Sequence, residues 1–165
     1  MSEIVENGME NDEDTQKDKF LTFSLGPEVY GIEIQFVTEI IGMQAITEIP
    51  DLPGYIKGII NLRGKIIPVI DVRLRFQKPY REYNDRTCIV IVEIRETALG
   101  LIVDGVEEVL TIAGGDIALP PQFDNGSYQQ RFIKGIGKVN KDVKLILDTD
   151  RFLTDNEMSS LGQVC

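Results

Sequence analysis

The chain reads as an all-β protein built from one small barrel or a pair of them. Short apolar runs alternate at period two, glycine- and proline-marked turns separate them, and very little of the chain has helical spacing. At 165 residues it forms one domain, or two small lobes that share a core.

The first strand pair is "FLTFSL" and "VYGIEI". Leu21, Phe23 and Leu25 fall on one side, as do Tyr30, Ile32 and Ile34, with Gly26 and Pro27 supplying a hairpin turn. "QFVTEIIG" then sets Val37, Ile40 and Ile41 at helical spacing before Gly42, which predicts a two-turn helix. "TEIPDLPGYIKG" is a loop with fixed corners. "NLRGKIIPVIDVRLRF" follows as a strand, entered through a polar corner at Asn61, Arg63 and Gly64. After the polar connection "QKPYREYNDR", the run "TCIVIVEI" is apolar on successive positions and is expected to be buried on both faces. "RETA" joins it to "LGLIVDGVEEVLTI", and a long irregular segment runs from "AGGD" to "YQQR".

The last strands are "FIKGIGKV" and "VKLILDT", around the turn "NKD". Asp150 is placed to cap "RFL", and Thr154 with Glu157 fits a capping box opening a short terminal helix. "YIKGIINLRGK" and "FIKGIGKVNKD" share an aromatic-Ile-Lys-Gly-Ile pattern, which suggests two related lobes.

Composition narrows the function. There are 27 acidic and 17 basic side chains, for a net charge of −10. Seven acids (Glu3, Glu6, Glu10, Asp12, Glu13, Asp14 and Asp18) precede residue 20, against Lys17 and Lys19. An opening so acidic and so poor in apolar residues cannot offset its ordering entropy, so residues 1–19 are expected to be a disordered tail. Such acidity also argues against a nucleic-acid partner, which needs clustered Lys and Arg. No apolar run has the roughly 18–20 residues of a membrane helix, and nothing resembles a signal peptide, so a cytoplasmic location is expected.

Chemistry is sparse. The sequence has no histidine, which removes the commonest general base and the histidine-assisted nucleophiles. Two cysteines make no thiolate metal site, and Cys88 reads as a small core residue. No P-loop or dinucleotide fingerprint is present; "GIGKVN" has only the first two glycines. The acids of "DTD" and "VDGVEE" lack calcium-loop spacing and read as solvated turn carboxylates. No metal or cofactor is expected, and binding remains. Arg63 is then either a turn residue pointing into water or pairing with Glu39, or an orienting group at the rim of an apolar groove.

Four stretches, "FLTFSLGPEVYGIEI", "IPDLPGYIKGIINLRGKIIPVIDVRLRF", "LGLIVDGVEEVL" and "FIKGIGKV…KLILDTDRFL", together resemble the CheW family of bacterial chemotaxis coupling proteins. The resemblance covers about residues 20–155 and leaves 156–165 as a short helix or tail. It implies two five-stranded SH3-like barrels packed together. It also implies a non-catalytic adaptor between the cytoplasmic tip of transmembrane chemoreceptors and the regulatory domain of a histidine autokinase, within membrane receptor arrays. A related motility or developmental pathway, or a small ligand-binding barrel, are the alternatives. By the same resemblance the receptor groove lies between the lobes, with Val37, Glu39, Gly58 and Arg63 from the first and Cys88, Gly100, Val106 and Val109 from the second. The valines are read equally as core, and the two glycines as sites of tight backbone geometry. Phe123 is the candidate for a junction with the kinase in a ring.

Overall fold

The computed structural model describes residues 16–120 and 131–152. Eleven strands run in chain order among these residues: β1 (Lys19–Leu25), β2 (Glu28–Glu33), β3 (Val37–Gly42), β4 (Ile56–Leu62), β5 (Lys65–Asp71), β6 (Cys88–Ile94), β7 (Thr97–Val103), β8 (Gly105–Thr111), β9 (Ile117–Ala118), β10 (Ile133–Val139) and β11 (Asp142–Leu147). One helical turn, α1 (Val72–Arg75), follows β5. The strands form two sheets of order β8-β1-β2-β11-β10-β9 and β3-β6-β7-β5-β4. These are the two barrel lobes, with the two-residue β9 added to the five strands expected of one of them.

Several elements differ from the sequence-based expectation: β4 begins inside the segment read as a loop, the run "LGLIVDGVEEVLTI" is split into β7 and β8, and three further differences have a visible cause. "QFVTEIIG" is not a helix: a 3-10 turn at Ile34–Phe36 leads into β3, whose side chains alternate between half-buried and exposed. Val37 and Ile41 are four apart, which suits either structure, but the run Val-Thr-Glu-Ile-Ile, β-branched at four of five positions, completes an edge ladder against β6. "DVRLRF" leaves the strand because the Asp71 carboxylate accepts from the Leu74 amide and opens α1. At the far end Asp148, not Asp150, caps the 3-10 turn Thr149–Arg151, accepting from the Asp150 amide. The expected capping box at Thr154 and Glu157 lies outside the described residues.

Strand register makes the two halves of the chain equivalent. Hairpins β4–β5 and β10–β11 carry the same bulge, between Ile56 and Gly58 in one and Ile133 and Gly135 in the other. β5 pairs in parallel with β7 through Val69 and Gly100, as β11 pairs with β2 through Ile146 and Gly31. Residues 19–76 therefore repeat as 88–152, and the repeats exchange strands. The five-stranded sheet takes β3, β4 and β5 from the first repeat and β6 and β7 from the second. The other sheet takes β1 and β2 from the first, and β8 through β11 from the second.

Burial follows from this exchange. A large core lies between the sheets, including Leu21, Phe23 and Tyr30 from one and Val90, Val92 and Leu101 from the other. Ile60, Ile67, Val69, Ile89, Ile91 and Ile102 fill the five-stranded lobe, and Phe20, Ile112 and Ile146 the six-stranded one. β6 thus buries both faces, as its unbroken apolar run predicts. Phe76 and Phe152, which end the two repeats, stack at 5.8 Å between the lobes, with Phe132 5.1 Å from Phe76. Buried Arg75 lies over the Tyr55 ring at 4.3 Å and donates to the Phe152 carbonyl at 2.5 Å. This desolvated cation is stabilised by ring faces and a backbone dipole.

Candidate functional site

The polar corner at residues 61–64 is a tight hairpin turn. Arg63 and Gly64 both have positive φ, 53° and 86°, between the paired residues Leu62 and Lys65. Two such residues give the turn whose twist matches the flanking strands. The Asn61 side chain accepts from the Gly64 amide at 2.8 Å. Arginine is an unusual choice for the first position, where asparagine is preferred. Its side chain supplies the reason: Arg63 Nη2 sits 2.5 Å from Glu39 Oε1. Glu39 is on β3 and Arg63 joins β4 to β5, so the pair links the two edges of the five-stranded sheet and closes that barrel. The two side chains are 70% and 32% exposed, so the pair contributes about 0–1 kcal/mol. A cleft of about 310 Å³ opens beside it over Leu62, Ile67, Ile91 and Ala98.

The other predicted groove residues fall into three groups. Val37 pairs with Val92 and Val106 with Phe23, so both face the core between the sheets and pack on its margin. Ile40 pairs with Val90 and Val109 with Leu21, which puts them on the same inter-sheet side. They are 43% and 51% exposed. By register Val37 is the counterpart of Val106, and Ile40 of Val109. The edge strands of the two sheets thus present matching apolar pairs, with the Glu39–Arg63 pair on the opposite face of β3. Ile40 was missed in the sequence because a helix there would have turned it inward with Ile41.

Cys88 is half-buried at the start of β6, its thiol donating to the Arg86 carbonyl at 3.2 Å. Gly58 and Gly100 serve backbone geometry. At Gly58 φ is +144°, and a Cβ would stand 2.1 Å from the Thr47 carbonyl oxygen. At Gly100 a Cβ would meet Val69 and Ile89 methyls at 2.7 and 2.8 Å, inside the five-stranded lobe. Cys88 and Gly100 therefore belong with Val37, Glu39, Gly58 and Arg63 in one sheet. Only Val106 and Val109 come from the other, which corrects the four-and-four division expected from sequence. The strand exchange is the reason, since it carries β6 and β7 into the lobe built from the first repeat. Phe123 lies outside the described residues.

A second polar cluster corrects the reading of "VDGVEE". Asp104 is not a solvated turn carboxylate. Arg73 Nε and Nη2 donate to its two oxygens at 2.7 and 2.6 Å, and the Gly26 amide donates at 2.7 Å. Arg81 adds a contact at 3.2 Å. Burial alone would push this carboxyl up. The Arg73 and Gly26 hydrogen bonds, with the charges of Arg73 and Arg81, outweigh it and hold the carboxyl below its ordinary range. Arg73 is on α1, Asp104 links β7 to β8, and Gly26 turns β1 into β2, so the cluster ties both lobes together. Only the hydrogen-bonding residue types were visible in sequence; the partners lie 31 and 78 positions apart.

Among the described residues no group of acids and thiols could hold a metal ion, and no helix is long and apolar enough to cross a membrane. Two fused β-lobes with apolar edge strands and an ion pair closing one barrel define a protein-binding scaffold. The CheW-like domain family model matches residues 19–157. The chain is 33% identical over 151 residues to the chemotaxis protein CheW of Klebsiella aerogenes, covering 92% of this chain and 90% of that one. It is 33% identical over 158 residues to CheW of Treponema pallidum, covering 93% and 91%. The crystal structure of the scaffolding protein TtCheW from Thermoanaerobacter tengcongensis is similar with a TM-score of 0.78 at 40% identity, over 85% of this chain and 94% of that one. The chain belongs to the CheW family.

Proposed function

We propose that this protein is a chemotaxis adaptor that joins the cytoplasmic tip of transmembrane chemoreceptors to the regulatory domain of a histidine autokinase, without turnover, at membrane receptor arrays. The relatives named for chemotaxis and for scaffolding support this reading. The observation that carries it is the pair of matching apolar edges, Val37 with Ile40 and Val106 with Val109. Partly exposed aliphatic residues on unpaired edge strands need a partner to cover them. The Glu39–Arg63 pair holds one of these edges in place.

The test is a titration of the protein against a receptor signalling-tip fragment and, separately, the kinase regulatory domain. Arg63→Asn separates folding from binding. Asparagine suits the left-handed turn position, so the melting temperature should stay level or rise slightly despite loss of the exposed pair. Receptor affinity should fall at least tenfold while kinase affinity holds. Unchanged receptor binding in a folded Arg63→Asn protein would remove Arg63 from the receptor surface.

Ile40→Asp and Val109→Asp probe the apolar edges directly. Both sites are exposed enough for stability to change by only about 0.5 kcal/mol. Each variant should weaken the receptor fragment, and the double variant should abolish its binding at micromolar concentration. Wild-type titration curves from the double variant would place the receptor elsewhere.

A further inference from the structure

We propose that Arg73 and Asp104 are positioning residues for the receptor surface: they fix the separation of its two apolar edges, Val37 with Ile40 and Val106 with Val109. Their role in binding rests on the adaptor reading above. Asp104 is the single residue between β7, in the five-stranded sheet, and β8, in the six-stranded one. The chain changes sheet there, and Val106 follows two residues later. Whatever orients Asp104 therefore orients the start of the β8 edge.

Both lobes hold this residue. The Asp104 amide donates to the Ser24 carbonyl at 3.1 Å and its carboxylate accepts from the Gly26 amide, so the β1–β2 hairpin grips it from the six-stranded side. Arg73, which follows β5, grips the carboxylate from the five-stranded side through both prongs of its guanidinium. Such a contact fixes orientation as well as distance. Arg73 is itself braced, because its Nη1 donates to the Pro79 carbonyl at 3.3 Å. Buried Asp71 caps the turn that carries Arg73 and accepts from the Tyr83 hydroxyl at 2.8 Å. Tyr83 packs on the core of the five-stranded lobe. A polar path thus runs from that core through Tyr83, Asp71, Arg73 and Asp104 to the first hairpin of the other lobe. Groups locked by such supporting bonds hold a binding surface to its productive geometry.

The internal repeat supplies the comparison. The chain also changes sheet between β2 and β3, where Val37 is the counterpart of Val106. Gln35 stands two residues before Val37, as Asp104 stands two before Val106. The Gln35 amide donates to Glu33 at 2.7 Å, and Glu33 pairs with Lys134 on β10, in the same sheet as β2. Those side-chain bonds stay on the six-stranded side. The crossing at Asp104 is the one whose side chain is bonded to both lobes, so it is the place where one apolar edge is set against the other.

The test measures the separation directly, in the full chain. In a Cys88→Ser, Cys165→Ser background, nitroxide labels are attached at Ile40→Cys and Val109→Cys, and their distance distribution is read by pulsed electron resonance. A single narrow distance is expected in this background, and a broadened or displaced one once Asp104→Asn is added. Arg73→Lys, which keeps the charge but loses the fork, should fall between them. In the unlabelled protein, Asp104→Asn should weaken binding of the receptor signalling-tip fragment at least tenfold, at a temperature where the variant is fully folded. Ile60→Ala opens a cavity in the five-stranded core outside the clasp, so it controls for lost stability and should leave both readouts at the parent value. A distance distribution unchanged by Asp104→Asn overturns the proposal, and so does an equal loss of receptor affinity in Ile60→Ala. If the parent protein binds no receptor fragment, the adaptor reading fails, and the distances still decide whether the clasp sets the edges.

Discussion

Asp104→Ala is expected to lower stability by about 3 kcal/mol, the low end of the range for breaking a buried ion pair. The Arg73 and Asp104 side chains are only 14% and 15% exposed, so solvent screens the pair little. Removing the carboxylate leaves the Arg73 guanidinium without its bidentate acceptor and the Gly26 amide without its side-chain partner. For a chain of this size the loss corresponds to a fall in melting temperature of about 10 °C. A pH series adds an independent check. The folded-state value of Asp104 lies below its unfolded value, so its contribution is fully present above the ordinary aspartate range and is lost as pH falls through the folded value. The wild-type protein should therefore lose stability more steeply than Asp104→Asn on the acid side of about pH 4. Parallel acid limbs, with equal melting temperatures at pH 7, would show that the cluster does not hold the lobes together.

Gly58→Ala should be at least as damaging, by about 3 kcal/mol or more, and for a different reason. The φ of +144° belongs to a region that only glycine occupies readily, which costs about 1–3 kcal/mol for another residue. The added Cβ would also overlap the Thr47 carbonyl oxygen. That carbonyl accepts from the Ile59 amide, and the Thr47 amide donates to Ile59 in return, both at 2.9 Å. The clash therefore pushes the segment at Thr47 off the β4 edge. Amide exchange at Thr47 and Ile59 should accelerate in step with the lower melting temperature. Gly100→Ala is the comparison: its φ is unexceptional and its Cβ meets movable methyls, so about 1–3 kcal/mol is expected. A Gly58→Ala protein more stable than Gly100→Ala would contradict this account of the bulge.

Much of the fold was legible because period-two apolar patterning and turn residues act locally. β1, β2, β6, β7, β10 and β11 all coincide with runs readable in the sequence, and Gly26 does make the first turn. β3 was not legible. Five residues of Val, Thr, Glu and Ile satisfy a helical spacing and a strand spacing at once, and only the open edge of β6 decides between them. The Arg63–Glu39 pairing was readable as an expectation, since an arginine in a polar corner reads as pairing with a nearby acid. Its role in closing a barrel was not, because that depends on which strands form the sheet's two edges.

Residue order alone settled the all-β class and the absence of histidine chemistry, and the Ile-Lys-Gly-Ile stretches hinted at the twofold repeat. Those depend on residue type and short-range spacing. How the repeats combine was decided only by tertiary structure. The exchange of strands put Cys88 and Gly100 in the same lobe as Arg63 and turned Asp104 from a loop acid into a clasp between lobes. It made Ile40 and Val109 counterparts on the edges of the two sheets and covered one barrel end with Tyr83. Each of these outcomes rests on contacts between residues far apart in the chain. Such contacts form only where the packed sheets leave a partner within reach, and local sequence does not encode that distance.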